Sequence, residues 1–163
     1  MITVDSIVGN IHRDLKKRYE QMAAKNAVEK IVISRLESER IRMRKSTDIG
    51  TDVALTLPTG SRLKHGDVVA LSDRMMIIIE IEPEKVAVVH IGVDKGIRLA
   101  ALVGHVIGNL HRPIKVKGDR IYFPIQSDDE ISMVMRQLSP LGSIDVTTDT
   151  IVFEPEAAAR HEH

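Results

Sequence analysis

Ile107-Gly108-Asn109-Leu110-His111-Arg112-Pro113 closes a long apolar run, His161-Glu162-His163 ends the chain, and no cysteine occurs among 163 residues. Those residue types point to one chemistry, the holding of a borderline transition metal through imidazole nitrogens. Imidazole suits nickel, zinc or copper, whereas soft thiolate sites need the cysteine that is missing here. There are seven histidines, and position separates them. His12 opens a basic stretch and His65 stands in a turn beside Gly66, so both read as surface residues. His90 interrupts an apolar strand and reads as a core or edge side chain. His105 and His111 share a helix but lie about 120° apart around its axis, while ligands sharing an ion on a helix sit three or four positions apart.

His111 differs by standing at the C-terminal end of that helix, where unpaired carbonyls favour a nearby cation. Asn109 is placed to orient its ring. The competing reading makes His111 a capping histidine on the last carbonyls. His161 and His163 lie in a polar stretch that is free either to curl onto a metal or simply to solubilise. One imidazole does not bind tightly, so two copies about a twofold axis, the commonest oligomer, would have to bring two together.

The elements that must position these residues fall into two groups. Over residues 1–82 short β-rich runs alternate with turns: 1–11, Val28–Ile33, Ile41–Arg44, Thr51–Leu57, Val68–Leu71 and Met75–Ile81, divided by Pro58-Thr59-Gly60 and His65-Gly66-Asp67. This spacing predicts a small all-β domain. Pro83 marks its boundary. Residues 83–154 have another rhythm: a buried strand at Val86–Ile91, then a helix over 97–110 stopped by Pro113. A hairpin follows about Gly118-Asp119, then a second helix capped by Ser127 and closed by Gly142, and a last strand. That order is β-α-β-β-α-β, the ferredoxin-like plan, so the expected class is α+β. Residues 155–163 are expected to form a flexible histidine-bearing tail.

Composition excludes several roles. Basic and acidic side chains are equal at 23 each, so nothing global draws the chain to nucleic acid or anionic lipid. Residues 12–45 do carry eleven basic side chains against five acidic ones, read as a solvated face or as a docking surface for an acidic partner. No apolar run is long enough to span a membrane, and no signal peptide is visible, which makes the cytoplasm the expected address. Two tyrosines and two phenylalanines offer little stacking surface for RNA. No nucleophile elbow, phosphate-binding glycine loop or paired acid accompanies His105 or His111, so an enzyme is not expected.

The segments in this order resemble the UreE family of urease accessory proteins, which are nickel metallochaperones. The resemblance covers most of the chain and rests on Arg44-Lys45 leading into Thr51-Asp52-Val53-Ala54-Leu55, the Leu57-Pro58-Thr59-Gly60 turn, and Leu63-Lys64-His65-Gly66-Asp67-Val68-Val69. Its most specific part is Gly108-Asn109-Leu110-His111, similar to the family's Gly-Asn-Arg-His motif. The resemblance implies a homodimer through the ferredoxin-like domains, with His111 of both chains binding Ni(II) as cargo across the twofold axis. Two dimers joined around one metal is a further possibility of the same geometry. It implies that His161 and His163 complete the site, that Zn(II) or Cu(II) can enter it, and that the β domain contacts other assembly proteins. The metal would pass to the urease assembly GTPase and apo-urease.

Two departures stand out. Leu110 replaces the motif arginine, and the tail has two histidines where some relatives carry long runs, which favours delivery over storage. The alternative function is an RNA-binding ferredoxin-like module using the basic stretch.

Overall fold

The computed structural model describes residues 1–92, 94, 96–142 and 144–156. The chain forms two compact units, 1–82 and 83–163.

The first unit is built of two sheets. Strands β1 (Ile2–Val4), β5 (Asp52–Thr56) and β4 (Arg42–Ser46) lie side by side in that order, leaving β4 as an edge. The second sheet runs β2 (Gly9–Asn10), β6 (Asp67–Leu71), β7 (Met76–Ile81), β3 (Val28–Ile33). β7 is central and reads Met-Ile-Ile-Ile-Glu-Ile, with only Glu80 left partly accessible, as expected of a strand covered on both faces.

The unit also contains a helix absent from the all-β expectation, α1 (Lys16–Ala24). Leu15 at its N-cap, Tyr19 and Met22 form its inward stripe at four- and three-residue steps, with Leu15 and Tyr19 partly buried and Met22 fully enclosed. Lys16, Lys17, Arg18 and Lys25 hide that stripe in the sequence. Asn26 ends the helix with φ 52°, its amide donating to Ala23 and that of Ala27 to Met22.

The second unit follows the ferredoxin-like plan. Its elements are β8 (Glu84–His90), α2 (Gly96–Asn109), β9 (Lys115–Lys117), β10 (Arg120–Pro124), α3 (Asp129–Leu138) and β11 (Asp145–Ile151). The sheet order is β11-β8-β10-β9, all antiparallel. Ala87, Val89, Ile121 and Phe123 pack with Val103 and Ile107 of α2 and Val134 and Leu138 of α3. Gly118 and Asp119 form the expected two-residue hairpin loop, Gly118 at φ 61°. α3 differs from expectation at both ends. No side chain caps its start, and it stops at Leu138 before a short 3-10 turn that Gly142 closes at φ 116°. Among the described residues, no helix is long and apolar enough to cross a membrane.

Candidate metal centre

The apolar positions of α2 recur so that one face turns inward, and Val103 and Ile107 are completely buried. The helix stops at Asn109, and the chain reverses through His111 with φ 55°. The His111 amide donates to the Gly108 carbonyl (2.9 Å) and the Arg112 amide to that of Ile107 (3.5 Å). This is the paired closure of a Schellman cap, whose left-handed residue is usually glycine. Holding a histidine there costs roughly 1 kcal/mol. Asn26 closes α1 in the same way, but asparagine is the ordinary substitute for glycine at such a position.

The cap aims its neighbours differently. Leu110 and Ile114 pack against the core beneath α2, whereas His111 is exposed. Arg112 turns toward α3, where its Nη2 donates to both carboxylate oxygens of Glu130 at 3.1 Å. His111 therefore caps through its backbone, and among the described residues no side chain bonds its ring. Asn109 does not orient it: the Asn109 amide lies 3.3 Å from Nε2 of His105, one turn back along α2. His105 and His111 are not brought together as a pair.

The remaining histidines have structural settings. His65 is half-buried rather than a plain surface residue, and its Nδ1 accepts the Ile81 amide at 3.0 Å. That bond leaves the proton on Nε2 in the neutral ring, so neither nitrogen offers a free lone pair to a metal. His12 stacks on it with ring centres 5.9 Å apart. His90 Nε2 lies 3.1 Å from the Thr147 hydroxyl on the neighbouring strand. His161 and His163 lie outside the described residues. Among the described residues, no three histidine or carboxylate side chains gather as a metal-binding group.

The segment after β11 supplies a feature not read from sequence. Phe153 is 1% exposed and packs on Val86 and Val88, with Tyr122 and Ile151 alongside. Because successive strand residues alternate in direction, this is the sheet face opposite the helices. Glu156 then reaches the other edge, its amide donating to the Ile114 carbonyl (2.9 Å) and its carboxylate accepting from the Val116 amide (3.1 Å). The sequence places Phe153 in the last strand through the apolar run Ile151-Val152-Phe153, whereas β11 ends at Ile151 and Phe153 packs beyond it.

The two halves of this chain, a sheet domain and a ferredoxin-like domain, each match a family model of one class of accessory protein. The family model for the N-terminal domain of the UreE urease accessory protein matches residues 4–82, and that for its C-terminal domain matches residues 84–163. A urease accessory protein UreE of Haemophilus influenzae (strain PittGG) is 36% identical over 122 residues, covering 74% of this chain and 63% of the relative. That of Natronomonas pharaonis is 32% identical over 132 residues, covering 78% and 61%. That of Ralstonia nicotianae is 31% identical over 140 residues, covering 82% and 62%. The matches thus span somewhat over three fifths of these relatives' length. The chain belongs to the UreE family of urease accessory proteins, an accessory family and not an enzyme family.

Proposed function

We propose that this chain is a nickel carrier for urease maturation, working in the cytoplasm as a homodimer that holds Ni(II) between the His111 imidazoles of two copies. The observation that carries this reading is the cap at the end of α2. A histidine occupies a backbone position that favours glycine, and its ring is exposed while Leu110 packs on the core and Arg112 pairs with Glu130. Backbone strain of this kind persists where it serves a function. One imidazole leaves a divalent ion short of ligands, and a second copy on a twofold axis supplies the next. The outer side of α2 suits close approach: Ile97 is 90% exposed, and a Cβ built on Gly104 or Gly108 meets nothing within 4 Å.

His161 and His163 complete the coordination in this reading. Residue 156 is bonded beside Ile114, and five extended residues reach about 17 Å, enough for His161 to arrive at His111. Zinc and copper compete for the same nitrogens. The exposed, ligand-poor site suits transfer to the urease assembly GTPase and apo-urease, with the N-terminal unit as the docking part. An RNA-binding reading is disfavoured by Phe153, which covers part of the sheet face such a module would present.

Nickel stoichiometry measured together with the mass of the assembly tests the proposal. Nickel should arrive in a dimer, or a dimer of dimers, that loses it when His111 is replaced. A strictly single-chain species holding nickel would sink it.

A further inference from the structure

We infer that Arg112 and Glu130 are positioning residues, a clasp that fixes the direction of the His111 imidazole and so sets nickel affinity; this rests on His111 being a ligand. The left-handed turn at His111 needs a hold, because a histidine gains nothing from that conformation itself. Its two closing hydrogen bonds are unequal, and the Arg112 amide is 3.5 Å from its acceptor, at the weak limit. Pro113 keeps Arg112 extended but donates no hydrogen bond of its own.

In a cap of this type the residue after the left-handed position usually makes an apolar contact back onto its own helix. Here that residue is Arg112, and its hold crosses to a different helix. Nη2 sits 3.1 Å from both oxygens of Glu130, and the two side chains are 27% and 19% exposed, so solvent screens the pair only partly. Glu130 lies in the first turn of α3, where the helix dipole favours a carboxylate. With Leu110 packed into the core on one side and Arg112 clasped on the other, the imidazole between them is held at both flanks. The carboxylate also cancels a cation that would otherwise stand one residue from the bound ion.

Nickel calorimetry on the full chain tests the clasp with Glu130→Gln, Arg112→Met, the two combined, and His111→Gly as reference. Each single variant should weaken binding about tenfold, the lower end of what loss of an orienting partner costs. The combined variant should be no weaker than either, with ions per chain unchanged, and Arg112→Lys should restore part of the loss. If affinity is untouched, or rises in Arg112→Met while falling in Glu130→Gln as bare charge dictates, the clasp is refuted even though His111→Gly still abolishes binding. Should His111→Gly bind like the parent, the ligand assignment fails first and the clasp fails with it. Where a variant also unfolds earlier, ring resonances of the metal-free protein decide. Exchange broadening confined to His111 supports the clasp, and a signal as sharp as the parent's overturns it.

Discussion

The amide of Glu156 is tied to the carbonyl of Ile114 across 2.9 Å, so the end of the described chain sits three residues from the histidine that caps α2. A ligand tethered this near acts at high effective concentration. Ending the chain after Arg160 removes His161 and His163, and nickel should then bind about a hundredfold more weakly, the lower end for a tethered second ligand. Calorimetry that finds unaltered affinity and ion count would confine the site to His111.

At His111 the backbone and the ring make opposite demands, and two substitutions separate them. His111→Gly suits the left-handed cap and should raise stability by up to about 1 kcal/mol, while His111→Ala should fall below His111→Gly by a similar amount. Both should lose tight nickel binding. Thermal unfolding gives the first contrast and calorimetry the second; equal stability of the two variants would contradict the strained cap.

His65 is assigned to structure because its ring accepts the Ile81 amide. His65→Ala leaves that amide unpaired and should cost about 1–3 kcal/mol. Its nickel isotherm should match the parent's. A shifted isotherm with unchanged unfolding would reverse the assignment.

Acid sensitivity of the first unit should trace partly to Glu37. Its carboxylate is held below the usual range, first by the hydrogen bond from Lys45 and then by the Ser34 amide. A depressed carboxylate contributes stability above its unfolded value, which is lost as pH falls through the folded one. The loss therefore develops on the acid side of the ordinary carboxylate range. Lys45→Met should flatten stability against pH in that window, read by denaturant unfolding at several pH values; an unchanged slope would remove the pair from the account.

How much was legible follows from what kind of contact each feature needs. The hairpin at Gly118-Asp119 and the stripe of α2 are local patterns, and they fell where period and turn residues put them. α1 was hidden because four cations sit within or beside a stripe of only three apolar residues, although Asn26 was an available stop signal. At the candidate site, His111 was visible from its place before Arg112-Pro113, but its left-handed backbone was not. The pairing of Asn109 with His105 depends on a side-chain rotamer, and those of Arg112 with Glu130 and Glu156 with β9 join residues 18 and 40 positions apart. No periodicity announces partners at such separations.

Strand β4 is an open edge of the first unit's smaller sheet, and it carries Arg42, Arg44 and Lys45 within five residues. An unpaired edge invites strands of other copies to stack onto it, and crowded cations on it discourage that stacking. The charged side chains along this edge thereby hinder a strand of a second copy from pairing with it, with Arg44 and Lys45 held in place by Asp52 and Glu37.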